Sequence, residues 1–255
     1  MTWFPTVQWF EEYSAHINAE PRLRHLSRDW GVGWRGDFIF HIEDVPVDSY
    51  RIKDLPDELI RVDNIPDTAW EGVPEEVMDK TVREYSDEPI YLLLDVLDGS
   101  MRRKLPEDLR EVLDEADKLF DINPTYEEVP EMVSERLREF LPEKLYELLA
   151  QLELFVEDGD VYAYMDFQDG VCEEIDVKTK GGSWDKGEVG YVLRGDFKSW
   201  ERFTHHGDII RVILEGGVEP EGDVSRLLQY SDSFSLLGDT VKEIDTKYLF
   251  GQPGL

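Results

Sequence analysis

Only one cysteine, Cys172, occurs among the 255 residues. No intrachain disulfide can form, which excludes a disulfide-stapled secreted fold. Basic residues are scarce as well. Eleven lysines, and 27 Lys and Arg in all, face 58 Asp and Glu, for a formal net charge of −31. A chain this negative repels nucleic acid and anionic membranes, so neither is expected as an electrostatic partner. Long apolar runs are missing too. The greasiest, IYLLLDVL at 90–97, is too short and too charged to span a bilayer, and no integral membrane segment is expected. The N-terminal stretch lacks a basic start followed by an apolar run, and no signal peptide is read there. Also absent are G-x-S-x-G, the phosphate loop, G-x-G-x-x-G and H-E-x-x-H. GVGWRG at 31–36 has three glycines, but it follows a helical segment and precedes a strand, the wrong context for a dinucleotide site.

The acids that are present spread over nearly every segment instead of gathering in a tail. Beside 41% hydrophobic residues and a pI of 4.4, they predict a salt-adapted cytoplasmic protein whose carboxylates bind hydrated cations. The length suits one large domain or two small ones with a sizeable core.

RGDF occurs twice, at 35–38 and 194–197. After the first, Phe38, Phe40 and Ile42 alternate with Ile39 and His41, the period of a strand. After the second, Phe197, Trp200 and Phe203 recur at helical spacing, with Asp196 placed as the N-cap. Copies of one duplicated unit would share structure, so the repeat is punctuation. Gly-Asp recurs at 36–37, 159–160, 195–196, 207–208, 222–223 and 238–239, glycine for the turn and aspartate for the cap.

Elsewhere, Trp9, Phe10, Tyr13 and Ile17 mark a helix over 5–18, and PRLRHLSRDW a second at 21–30. Prolines at 46, 56, 66 and 74 make 46–72 irregular. Acidic amphipathic helices are expected over 73–152, one opened by Pro74, others in LPEDLREVLDEADKLF, VPEMVSERLREF and PEKLYELLAQL. Three strands follow in LELFVE, DVYAYMDF and VCEEIDVK, separated by Asp158-Gly159 and Asp169-Gly170. After a Gly-rich loop, KGGSWDKGE, and another strand, capped helices are expected in GDIIRVILEGG and GDVSRLLQYSDSFSLL.

Chemistry-bearing patterns are few. His205-His206 with Asp208 lacks a third ligand at useful spacing, and reads as helix-end residues. Cys172 has nothing basic nearby to activate it and reads as a buried structural thiol. With 58 acids no carboxylate pair stands out. No catalytic residue, metal or cofactor is assigned, and a non-enzyme is expected.

The ends of the chain resemble the sterol carrier protein 2-like lipid-binding domains. The stretch WFEEYSAHINAEPRLRHLSRDWGVGWRGDFIFHIE is similar to their opening helix and first strand, with Ile17-Asn18 and Trp30 in place. DGDVYAYMDFQDGVCEEID resembles their central hairpin. YVLRGDFKSWERFTHHGDIIRVILEGGVEPEGDVSRLL resembles a strand, a helix at Trp200, a return strand and the helix under the cavity, and IDTKYL the closing segment. The likeness is discontinuous, 1–45 and 152–255, around a helical insertion at 46–151. The return strand is more polar than is usual in the family and carries a proline. The resemblance implies an α+β fold: a mostly antiparallel five-stranded sheet, helices on one face and a tunnel for an apolar small-molecule ligand. Family members bind sterols, fatty acids or acyl-CoA, or act as helper domains. The expected tunnel wall is Phe38, Phe40, Phe197, Trp200, Ile210, Leu214, Leu228 and Phe234, with Ile42 in the inward row. The function expected is binding or transfer of a lipid, fatty acyl or isoprenoid-like molecule without chemistry. Two alternatives stay open: a protein-interaction module docking or self-associating through the insertion, and an accessory domain of a lipid-thioester enzyme. Exposed apolar rows on the insertion would favour the first of these, a polar dyad at the tunnel mouth the second.

Overall fold

Chain punctuation sets the order of elements. The computed structural model describes residues 2–179 and 189–250, and the Gly-rich loop at 180–188 lies outside them. Two compact units form, Met1–Pro46 with Leu154–Leu255, and Val47–Glu153. The chain opens with β1 (Thr2–Phe4), α1 (Val7–Ala19), α2 (Pro21–Leu26) and β2 (Phe38–Glu43). It then runs through α3 (Asp57–Ile60), α4 (Glu75–Val77), α5 (Ile90–Val96), α6 (Gly99–Arg102), α7 (Glu107–Ile122), α8 (Val129–Met132), α9 (Glu135–Phe140) and α10 (Glu143–Phe155). There follow β3 (Val161–Gln168), β4 (Val171–Val177), β5 (Tyr191–Asp196), α11 (Phe197–His206), α12 (Ile209–Leu214), β6 (Val218–Glu221), α13 (Val224–Gln229), α14 (Ser231–Val241) and β7 (Thr246–Tyr248).

The class is α+β. Five strands stand in the order β4-β3-β2-β5-β6, and β2 and β5 are the parallel pair. β1 and β7 form a separate parallel pair. Asp169 and Gly170 both take positive φ, 49° and 79°, and make the tight β3–β4 turn. A Cβ on Gly170 would sit 2.5 Å from the Arg24 Cα, so only glycine fits. β6 is an edge strand, the place in a sheet where a proline is tolerated, and its Pro220 stands opposite Leu193. On one face of β2 the Phe40 ring meets Phe10 and Tyr13 of α1 and Trp200 of α11, while Phe38 meets Phe234 of α14. The helices of this unit cover that face.

Three Gly-Asp steps open three successive helices. Asp196, Asp208 and Asp223 cap α11, α12 and α13, each accepting from the backbone N–H three residues on, at 2.7, 2.9 and 3.2 Å. The two RGDF copies differ as their contexts require: Phe38 begins β2, whereas Asp196 ends β5 and Phe197 begins α11. Gly238-Asp239 departs from the pattern and lies inside α14, where Gly238 lets the chain pass close to Gly207.

The inserted unit opens helices with proline instead. Leu55-Pro56-Asp57, Leu105-Pro106-Glu107, Val129-Pro130-Glu131 and Leu141-Pro142-Glu143 each bury the first residue and place an acid in the first helical turn. The apolar residue anchors the entry, proline presets φ, and the acid faces the positive helix end. The 46–72 stretch is more ordered than its prolines predict. It holds a ten-residue repeat, Arg51-Ile52-Lys53-Asp54-Leu55-Pro56-Asp57 and Arg61-Val62-Asp63-Asn64-Ile65-Pro66-Asp67. Each copy has a bridged arginine and one 3-10 turn. Ile52 N–H donates to the Pro124 carbonyl and Val62 N–H to the Glu88 carbonyl, both at 3.0 Å.

Several expected elements differ. LELFVE is not a strand. Leu145, Leu148, Leu149 and Leu152 keep helical spacing, nothing breaks it before Asp158, and α10 runs to Phe155. VPEMVSERLREF splits into α8 and α9, because Ser134 caps a new start by accepting from Leu137 N–H. GDVSRLLQYSDSFSLL splits at Tyr230 into α13 and α14. The helix expected after Pro74 is α4 followed by a π turn at Met78–Val82. The second helix stops at Leu26, short of Trp30.

Candidate functional site: an apolar seam between sheet and helices

The inward row of β2 forms one wall of a seam. Phe38, Phe40 and Ile42 project from alternate positions of a strand flanked on both sides, and each is at most 5% exposed. Facing them are Trp9, Phe10 and Tyr13 at helical spacing on α1, Trp200 and Phe203 on α11, and Phe234 and Leu237 on α14. Two voids of about 10 Å³ each lie between these layers. The first is bounded by Phe38, Met165, Leu193, Ile209, Phe234, Leu237 and Gly238, the second by Phe4, Trp9, Phe10, Ile42 and Trp200. Tyr13, Phe40 and Phe203 border both, so the voids adjoin. Each has room for about one water, and their apolar linings offer water too few partners to hold it.

Ring geometry accounts for the gaps. Phe4–Trp9, Trp9–Phe10, Phe40–Trp200 and Trp200–Phe203 all meet edge to face, at 77°, 88°, 79° and 78°. Such pairs are individually favourable, but rigid plates set at right angles do not tile space as branched aliphatics do.

Polar atoms on the lining are already taken. Trp9 Nε1 donates to Thr246 Oγ1 at 2.9 Å, and Trp200 Nε1 to the His41 carbonyl at 3.1 Å. The Tyr13 hydroxyl donates to the Leu237 carbonyl at 3.2 Å, and burial pushes its pKa well above the usual tyrosine value. Cys172 is buried, and burial raises its thiol as well, which disfavours the thiolate. His205 stacks on Tyr248 at 4.6 Å. Among the described residues no group of three His, Cys, Asp or Glu is placed to hold a metal ion. The polar constellation of this unit is on the other face of the sheet. There His41 Nε2 lies 2.8 Å from Asp160 Oδ2, and the imidazole stacks on Tyr162 at 4.2 Å.

The residues expected to form a tunnel wall separate into three groups. Phe38, Phe40, Trp200 and Phe234, with Ile42, border the voids. Phe197 is buried but packs away from them, against Phe4 and Phe250. Ile210 is half-buried and off the lining, while Leu214 is 80% and Leu228 60% exposed. The last two face solvent because α12 and α13 are six-residue helices that bury a single stripe, Ile209 and Val212 in one and Leu227 in the other. Tyr13, Phe203, Met165, Leu193 and Leu237 line the seam without having been expected there. Tyr13 and Phe203 carry a usable signal, since each stands at helical spacing from another lining residue.

No family model and no curated protein matches the chain. Among solved structures, a crystal structure of sterol carrier protein 2 aligns with 93% of this chain and 95% of its own, at 10% identity and a TM-score of 0.40. A solution structure of a conserved hypothetical protein from Thermus thermophilus, named as a possible sterol carrier protein, aligns with 34% of this chain and 59% of its own, at 19% identity and a TM-score of 0.29. Identities this low carry no residue's role across.

Proposed function

We propose that the chain binds an apolar small molecule in the seam between the sheet and the α1, α11 and α14 layer, and carries it without chemistry. The observation that supports this is the pair of adjoining small voids among aromatic rings. A well-packed core keeps few such spaces, and here two share three bordering side chains. At about 10 Å³ each they fall far short of the roughly 300–1,000 Å³ of a ligand pocket, so the unliganded seam is closed. Binding therefore requires the helix layer to move off the sheet. In that layer α11 has its own aspartate cap and ends at Gly207, which has a positive φ of 65°, so its joint to α12 is the expected hinge. Ligand burial would stabilise the open form at about 25 cal/mol per Å² of apolar area removed from water.

The docking alternative finds less support. In Val47–Glu153 the large apolar side chains that are exposed are Ile122 and Met132, on different helices and in no row. The test is a titration with a fluorescent fatty-chain probe in molar KCl, with mass spectrometry of an organic extract of gently purified protein. Saturable binding and a co-purified apolar compound are expected. No binding by the parent, together with an empty extract, would sink the reading.

A further inference from the structure

We infer that the seam accepts only uncharged ligands, and that the Tyr13 hydroxyl is the one polar contact it offers them. The inference rests on the binding function proposed above and concerns the class of ligand. Around both voids, among the described residues, no Lys, Arg or His contributes to the lining. The basic side chains of this unit's sheet, His41, Lys178 and Arg194, sit in one cross-strand row on the opposite face and already have carboxylate partners in Asp160, Glu157 and Glu221. An ionised carboxylate or phosphate drawn into the seam would thus be buried with no counter-charge, which is far more costly than burying an alcohol.

The remaining polar atoms differ in what they can exchange. Trp9 and Trp200 are donors only, and both are engaged at 3.1 Å or less. Tyr13 is the exception. Its hydroxyl makes a long 3.2 Å bond to the Leu237 carbonyl and has the Thr240 hydroxyl beside it as a second partner. That carbonyl also receives the Thr240 hydroxyl at 2.7 Å, so it stays satisfied if Tyr13 turns away. Tyr13 borders both voids, and can redirect its O–H to a ligand oxygen or accept from a ligand hydroxyl without leaving a buried orphan. The fitting class is a long hydrocarbon or isoprenoid with at most one hydroxyl or ether oxygen.

Trp9 and Trp200 stand in the second lining and report occupancy by fluorescence. The experiment titrates hexadecanol, methyl hexadecanoate, hexadecanoate and hexadecane, delivered from cyclodextrin at pH 8 in molar KCl, into the parent and Tyr13→Phe. In the parent, the alcohol and the ester should bind at least tenfold tighter than the carboxylate, and the alcohol several-fold tighter than the alkane. In Tyr13→Phe the alcohol should fall to the alkane's affinity while alkane binding is kept, with near-UV circular dichroism showing an intact core. If that variant unfolds, the rank order in the parent still decides. Carboxylate binding equal to or tighter than the alcohol overturns the exclusion of charge, and equal binding of alcohol and alkane by the parent overturns the role of Tyr13. Either result leaves the seam as a binding site. Binding of none of the four removes the function itself, and this inference with it.

Discussion

The sheet-bearing unit fills its interior with rings, and the inserted unit fills its own with branched aliphatics. In the first, Phe4, Trp9, Phe10, Phe38, Phe40, Trp200 and Phe203 crowd together, and the two voids lie among them. In the second, Ile52, Leu59, Ile60, Val62, Ile90, Leu93, Leu113 and Leu145 are each at most 2% exposed, with fewer rings between them. Aliphatic side chains choose rotamers that close gaps, whereas aromatic plates leave gaps that must be tolerated or used. The units also differ in charge. Residues 47–153 hold 30 acids against 13 Lys and Arg, while the longer sheet-bearing unit holds 28 against 14.

The largest effect that can sharpen this contrast comes from truncation. Phe203→Ala should merge the voids at a cost of about 3–5 kcal/mol and tighten binding of the fatty-chain probe. Leu113→Ala, in the aliphatic unit, should cost about 2–5 kcal/mol and leave probe binding unchanged. Denaturant titration with probe titration on both variants checks the pair. A loss of probe binding in Phe203→Ala would mean that the voids are packing defects and nothing more. Salt comes next. Raising the ionic strength from about 0.1 M to 1 M shortens screening from about 10 Å to 3 Å. Amide exchange protection should then rise more in 47–153 than in the sheet. Equal gains would detach salt response from local charge density, and no gain would remove the salt-adaptation reading.

Helix starts provide a smaller test. Asp196→Ala removes a cap that accepts at 2.7 Å and should cost about 1 kcal/mol. Pro106→Ala, at the start of α7, should cost about 0.4–1 kcal/mol through a freer unfolded chain. Urea midpoints decide whether caps outweigh preset backbone here. The smallest effect is in pH dependence. Burial raises the Asp166 carboxyl above the usual range, helped by Asp37, Glu173 and Glu174. Folded chains then take up that proton before unfolded ones do, so Asp166 adds stability as pH falls toward its folded value and subtracts it at higher pH. In the inserted unit Asp98 and Glu76 have the opposite sign. Ser100 and Met101 donors lower the first and the Lys80 and Lys104 ammoniums the second, so their contribution is present above the normal carboxylate range and lost below it. Asp166→Asn should therefore be slightly more stable than the parent at pH 8, with the gain fading as the pH falls into the carboxylate range. Parallel pH profiles would contradict the assignment.

How much of this is legible in the sequence depends on how local the cause is. The caps at Asp196, Asp208 and Asp223 and the Asp169-Gly170 turn are decided within four residues, and their letters suffice. The inward row of β2 follows from alternation. LELFVE misleads because a short apolar run fits a strand as well as a helix end, and only continuity with Leu145 and Leu149 decides. Leu214 and Leu228 mislead because apolar composition does not tell which stripe a six-residue helix buries. β1 and β7 escape a reading of the letters, being three residues each and paired across more than 240 positions of sequence. Of the candidate site, the residues on β2, α11 and α14 can be found from period alone, whereas Met165 and Leu193 reach it through sheet register.

The bond from Val45 N–H to the Gly159 carbonyl, 2.7 Å long, continues the β2–β3 ladder just past the Ile42–Val161 pair. Topologically, β2 and β3 are a hairpin whose loop has been replaced by more than a hundred residues. Closing a flexible loop of that length instead of a two-residue turn costs roughly 3–4 kcal/mol in chain entropy. Forming the centre of the sheet first would meet that cost in full. If 47–153 folds beforehand, it becomes a compact bridge and the effective loop shrinks. Loop entropy thereby favours an order of assembly in which the inserted unit folds before the two central strands of the sheet pair.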